Sequence, residues 1–70
     1  MKKLQCTVTG TLRGYSVNPG DTVTAGQEVA IVESMKMLIP VLAETDGRVV
    51  SLSCKVDELV HEGDTLIEFE

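Results

Sequence analysis

Tryptophan is absent from this 70-residue chain, and tyrosine and phenylalanine occur once each. Val, Leu, Ile, Ala and Met must therefore fill the core, and these are small units for a chain near the lower limit of independent folding. Surface scaling for a chain of this size leaves about 4,300 Å² exposed out of about 11,000 Å² when unfolded, which leaves little room for a deep pocket and a catalytic apparatus. Positive charge is scarce too, with 6 Lys and Arg against 11 Asp and Glu and a net charge of −5. Nucleic acid and anionic membrane surfaces need a cationic patch, so neither is an expected partner. Apolar runs stop at a few residues, as in Val29-Ala30-Ile31-Val32 and Leu38-Ile39, which excludes a transmembrane helix. Lys2-Lys3 leads into Leu4-Gln5-Cys6-Thr7 rather than into an apolar signal core, so the expected location is cytoplasmic.

Cysteine and histidine are equally sparse. Cys6 and Cys54 stand 48 positions apart, without zinc-ligand or CxxC spacing, and read as reduced packing residues. His61 is the only histidine and falls in a predicted turn, where it reads as a surface residue. No metal site and no phosphate-cradling glycine loop is visible. The acidic pairs Asp57-Glu58 and Glu62/Asp64 read as solubilising surface charge.

What the chain has is alternation. Apolar residues recur at period two in Leu4, Cys6 and Val8, in Val29 and Ile31, in Ile39, Val41 and Ala43, and in Val50, Leu52, Cys54 and Val56. No window of helical length carries an apolar stripe, and Asn18-Pro19-Gly20-Asp21, Ala25-Gly26-Gln27, Asp46-Gly47 and Glu62-Gly63-Asp64 break the chain into short pieces. The pattern predicts an all-β domain over 1–70 with strands near 3–8, 11–17, 22–24, 28–33, 38–43, 48–54, 59–61 and 65–69.

An internal repeat organises these strands: residues 9–33 moved forward by 37 positions lie on 46–70 without a gap. Gly10 falls on Gly47, Ser16 on Ser53, Val23 on Val60, Gly26 on Gly63 and Glu33 on Glu70. Apolar and polar character stays in register between the identities, as in Leu12 on Val49 and Gln27 on Asp64. Two β-halves related by a pseudo-two-fold axis, each with a wet apolar face if alone, should pack face to face as a sandwich or flattened barrel. Gly10, Gly20, Gly26, Gly47 and Gly63 are the predicted structural turn positions, with Gly26 and Gly63 the places for a positive φ.

Between the repeats lies a segment they do not share, Glu33-Ser34-Met35-Lys36-Met37-Leu38. So short a connection between antiparallel strands is a hairpin turn, with Lys36 as its tip. Lys36 is the only Lys or Arg between Arg13 and Arg48. Taken alone, a turn lysine is a solvated charge and two methionines fill gaps; on an exposed tip, however, flexible polarizable methionines suit recognition by another protein.

Glu33-Ser34-Met35-Lys36-Met37, preceded by Gly20-Asp21-Thr22-Val23-Thr24-Ala25-Gly26-Gln27 and followed by Gly47 and Glu62-Gly63-Asp64, resembles the biotinyl/lipoyl attachment domain from about Thr7 to Glu70. The resemblance implies a flattened barrel of two four-stranded antiparallel sheets, with Lys36 exposed at one end and both termini towards the other. It implies biotin in amide linkage to Lys36, attached by a biotin protein ligase that reads Glu33, Ser34, Met35 and Met37 around it. The finished carrier would shuttle carboxybiotin between biotin carboxylase and carboxyltransferase subunits, as a monomeric domain with no active site of its own. Lipoate on the same Lys36 is the alternative, although lipoyl domains usually have an acidic residue before the lysine and Ala after it. An unmodified β-module used only for binding is the third reading.

Several positions depart from the family pattern. Ser34 stands where many biotin carriers have Ala, and Thr7-Val8-Thr9-Gly10 replaces a Pro-containing stretch. The link from Tyr15 to Gly20 has no room for the thumb insertion of some carriers. The absence of an Ala/Pro-rich leader resembles the short free-standing attachment proteins.

Overall fold

Alternation at period two becomes eight short strands in the computed structural model, which describes residues 2–70. In chain order they are β1 (Lys2–Gln5), β2 (Gly10–Tyr15), β3 (Thr22–Val23), β4 (Glu28–Ser34), β5 (Met37–Leu42), β6 (Gly47–Leu52), β7 (Leu59–Val60) and β8 (Thr65–Phe69). They form two four-stranded sheets in the orders β1-β8-β6-β3 and β5-β4-β2-β7, with every pairing antiparallel. Moving each strand of the second sheet by one repeat gives the first. The exposed surface is 4263 Å², close to the value expected from chain size.

The turns repeat along with the strands. Asn18 N–H donates to the Asp21 carboxylate at 2.8 Å, and Lys55 N–H donates to that of Glu58 at 3.4 Å. Thr24 N–H donates to the Gln27 side-chain oxygen at 3.1 Å, and its counterpart His61 N–H donates to Asp64 at 2.9 Å. Each side chain closes its turn by accepting the bond that another backbone carbonyl would otherwise take. Glu58 and Asp64 therefore build turns, a role beyond the surface charge read from sequence. Gly20 and Asp57, which occupy equivalent positions, both take left-handed backbone, at φ 95° and 70°. Aspartate tolerates that region better than most residues with a Cβ, which lets the second repeat keep the geometry without glycine.

Gly26 and Gly63 have φ of 89° and 95°. Gly10 and Gly47 are different: they are the first residues of β2 and β6, without positive φ, so neither is a turn residue. A Cβ on Gly10 would lie 3.0 Å from the Glu33 carbonyl carbon and closer still to its oxygen, so Gly10 is there to let β4 approach.

Leu12, Val23, Val29, Val32, Leu66 and Ile67 are fully buried between the sheets. Simple alternation is interrupted by bulges in β2, β4, β6 and β8, and two of them change which residues face the core. Bulges in β4 between Glu28 and Ala30 and in β6 between Val49 and Ser51 each shift the pleat by one residue. As a result Ala30 and Val49 are buried, while Ile31 is only half-buried and Val50 faces out. Val56, predicted as part of the last alternating run, lies beyond β6 and is exposed. The Tyr15 hydroxyl bridges the two sheets, within 3.0 Å of the Cys54 and Leu66 carbonyl oxygens, and accepts from Cys54 N–H at 3.1 Å. Cys6 is buried and Cys54 half-buried, and both are free thiols.

Candidate functional site

The two longest-paired strands, β4 and β5, meet at the segment the repeat does not share. Their register ends on the pair Ser34 and Met37, which leaves two residues, Met35 and Lys36, to reverse the chain. Both have positive φ, 52° and 65°, as a type I′ hairpin requires. Such turns favour Asn-Gly, because left-handed backbone costs a residue with a Cβ about 1–2 kcal/mol. The sequence thus places two unfavoured residues at the tip, and the ladder beneath must hold them there. Strain kept at an exposed position of a well-paired hairpin points to use of those side chains.

Three features fix the base of this hairpin. Six residue pairs join β4 to β5, from Glu28 with Leu42 to Ser34 with Met37. The Ser34 hydroxyl donates to the Thr9 carbonyl at 2.9 Å and ties the end of β4 to the entry of β2. Bare Gly10 lets the Glu33 backbone close on β2, where Thr11 pairs with Glu33. Thr9 and Gly10 lie more than twenty positions from the tip, and no local pattern marks Thr9 as its support.

Above that base the tip is bare. Met35 is 91% exposed, Met37 61% and Leu38 64%. Lys36 is exposed, and none of the ion pairs or side-chain hydrogen bonds among the described residues involves it. Its Nζ is therefore presented without a carboxylate to shield it. Glu33, expected at the recognition surface, is half-buried on the outer face and 3.9 Å from Arg13, which also lies 3.6 Å from Asp57. Ser34 is engaged with Thr9, and Met35 shares the turn with Lys36 rather than merely flanking it. Leu38 and Leu42 extend the exposed apolar surface down β5 and were not singled out from sequence. The signal was available, since they alternate with Ile39 and Val41.

His61 is exposed, 3.7 Å from Asp64, and stands with the turn described above rather than at the hairpin. Among the described residues no group of His, Cys, Asp and Glu is arranged to hold a metal ion, and no helix is long and apolar enough to cross a membrane.

A duplicated β-scaffold that holds one lysine out on a strained hairpin between exposed methionines defines a class of small presenting modules. The biotin/lipoyl family model, described as "Biotin-requiring enzyme", matches residues 4–69, and the chain belongs to that family. The biotin/lipoyl attachment protein of Bacillus subtilis is 48% identical over 59 residues, covering 84% of this chain and 81% of that one. The mitochondrial propionyl-CoA carboxylase alpha chain of Homo sapiens is 40% identical over 67 residues, which is 96% of this chain but 9% of that protein. Among solved structures, Kluyveromyces lactis urea carboxylase superposes with a TM-score of 0.91 at 30% identity, covering 99% of this chain and 6% of that one. The chain thus spans less than a tenth of the carboxylases it matches, and most of the attachment protein.

Proposed function

We propose that Lys36 is acylated with biotin by a biotin protein ligase and that the chain serves as the carboxyl carrier of a biotin-dependent carboxylase. The observation that carries this reading is the hairpin itself: an exposed primary amine, outside every ion pair among the described residues, on a rigid two-residue turn. Amide formation needs a nucleophilic amine that can enter a ligase site, and the bare tip meets that need without rearrangement of the fold. Because the base is pinned by Thr9, Gly10 and the β4–β5 ladder, the Lys36 backbone sits at a defined place relative to the body a ligase would grip. Nothing in the scaffold covers Lys36, so an attached group would extend into solvent. Biotin, when attached, supplies a ureido nitrogen that takes up and gives up a carboxyl group. The chain's own residues hold that arm and raise its local concentration at the sites it visits, while amide formation itself removes the Lys36 charge. In this reading the catalytic groups belong to biotin carboxylase and carboxyltransferase subunits, and this chain is a carrier rather than an enzyme.

Lipoate on the same amine is the second reading, supported by the name of the Bacillus subtilis relative, which covers both groups. Met35 and Met37, in place of an acidic residue and Ala, favour biotin. Intact mass after co-expression with a biotin protein ligase, and separately with a lipoate ligase, decides between them. A single biotinyl increment that disappears in Lys36→Ala is the expected result. An unmodified chain, or an increment that survives the substitution, would refute the assignment.

A further inference from the structure

The fold makes no use of the two methionine side chains at the tip. Met35 and Met37 lie outside the core and are 91% and 61% exposed, so their thioethers are open to small solutes. The other sulfur atoms among the described residues are protected. Cys6 is 2% exposed, and its thiol donates to the Val8 carbonyl at 2.8 Å. Cys54 is half-buried and donates to the Thr65 carbonyl at 3.3 Å. Burial, with Glu58 and Asp64 nearby, pushes its thiol pKa up, which lowers the thiolate available to an oxidant.

We propose that Met35 and Met37 form a reversible oxidation site beside Lys36, where a peroxide switches off recognition of the tip by the proteins that act on that lysine. The inference rests on Lys36 being the attachment residue. In the forward step the thioether sulfur attacks one peroxide oxygen and the O–O bond breaks. The sulfur gains that oxygen and loses two electrons, and after proton transfer the second oxygen leaves as water. The reverse step belongs to methionine sulfoxide reductases, which return the thioether while a dithiol becomes a disulfide and water is released.

Oxidation acts on the tip without reaching the core. A sulfoxide is polar and chiral, so the collar formed by Met35, Met37 and exposed Leu38 loses the apolar, adaptable character that a dry contact needs. The β4–β5 ladder and the Ser34 to Thr9 bond use no sulfur and hold the turn in either redox state. Leucine would supply similar apolar surface at both positions, but it has no oxidisable atom.

The test uses the whole chain treated with hydrogen peroxide. Trypsin cuts the unmodified chain after Arg13, Lys36 and Arg48, which puts Met35 and Met37 in different peptides; acylated Lys36 is not cut, so in the biotin-loaded chain fragmentation of the 14–48 peptide places each sulfoxide, in both cases separately from any on Met1. With both tip sulfoxides present and denaturant melts unchanged, two rates are measured. One is biotin transfer to the unmodified chain by purified biotin protein ligase, and the other is carboxylation of the biotin-loaded chain by purified biotin carboxylase. At least one is expected to fall tenfold or more and to recover after treatment with both stereospecific reductases and dithiothreitol. The Met35→Leu/Met37→Leu double variant, whatever its own starting rates, is expected to show the same two rates before and after that peroxide exposure. Unchanged rates in the doubly oxidised chain, or an equal loss in the double variant, would overturn the inference. A reduced chain that accepts neither biotin nor lipoate would overturn the functional reading and this one with it, before any peroxide is added.

Discussion

The same substitution at two glycines of one strand should move stability in opposite directions. Gly10 and Gly14 both lie in β2, and neither has positive φ, so backbone strain is not at issue at either. They differ in what a new methyl group meets. At Gly14 no atom lies within 4 Å of the added Cβ, whereas at Gly10 the Cβ comes within 3.0 Å of the Glu33 carbonyl carbon and of a Val32 methyl. Gly14→Ala restricts the unfolded chain and meets no clash, so a gain of about 0.4–1 kcal/mol is expected. Gly10→Ala receives the same gain but must push the β4 backbone away, which puts the overpacking cost in the upper part of the usual range, about 2–3 kcal/mol, so the net is a loss of about 1–2.6 kcal/mol. For a domain this small, about 4–8 °C accompanies each kcal/mol, so the two midpoints, which differ by the overpacking cost, should separate by about 8–24 °C. Thermal and urea melts of the two variants beside the parent measure this. Because Gly10 contacts Glu33, its variant should also disturb the hairpin base, seen as amide shifts at Ser34 and Met37 that Gly14→Ala does not cause. Two variants shifted in the same direction would refute the idea that β2 and β4 approach through Gly10.

Met35→Asn replaces a residue strained at φ 52° by one that tolerates left-handed backbone, and the methionine buries almost nothing. Stability should rise by about 0.5–1 kcal/mol in denaturant melts while ligase-catalysed modification slows. Gly63→Val puts a β-branched side chain at φ 95° and should lower stability by about 2 kcal/mol; an unchanged urea midpoint would contradict the turn geometry. Tyr15→Phe removes the hydroxyl that bridges the sheets and should cost about 1–2 kcal/mol at neutral pH. Its pH dependence follows from burial, which raises the phenol pKa above 10.0, so the folded chain keeps a proton that the unfolded chain releases. Stability of the parent should therefore fall as pH climbs through 10.0 towards the folded-state value, and the Tyr15→Phe variant should lose that part of the slope in melts at stepped pH.

The sequence made the sheets legible because its repeat ties each ambiguous strand to a counterpart. β3 and β7, only two residues each, would be weak alone, yet Val23 over Val60 and Gly26 over Gly63 place both. The bulges were hidden. An apolar run such as Val29-Ala30-Ile31-Val32 looks the same whether or not its pleat shifts, and only the register with β5 shows that Ile31 turns outward to pair with Pro40. The hairpin was legible in position but not in mechanism: Met-Lys gives no turn signal of its own, so its left-handed backbone is imposed by the paired strands beneath it. Thr9 was invisible because its contact with Ser34 joins residues 25 positions apart. The acids in the turns were misread because Glu58 and Asp64 carry charge as well as a geometry that only their equivalence to Asp21 and Gln27 makes visible.

Advancing Lys36 by one repeat carries it past Glu70, so the Lys36 turn has no counterpart within the chain. In its place the first and last strands lie side by side, Lys2 opposite Phe69. They do so at the far end of β4 from Lys36, where Lys2 Nζ donates to the Asp46 carbonyl and the Asp46 carboxylate accepts from Ala25 N–H in the turn before β4. A polypeptide entering and leaving there is separated from the lysine by the length of β4, which at about 3.3 Å per residue is about 23 Å of stiff spacer. A flexible Gly/Ser coil would need about 17 residues for the same root-mean-square span, and its end would wander over the whole distance. The body would thus act as a boom for the arm proposed on Lys36, setting the radius at which it sweeps and leaving only the joint and the arm itself to move.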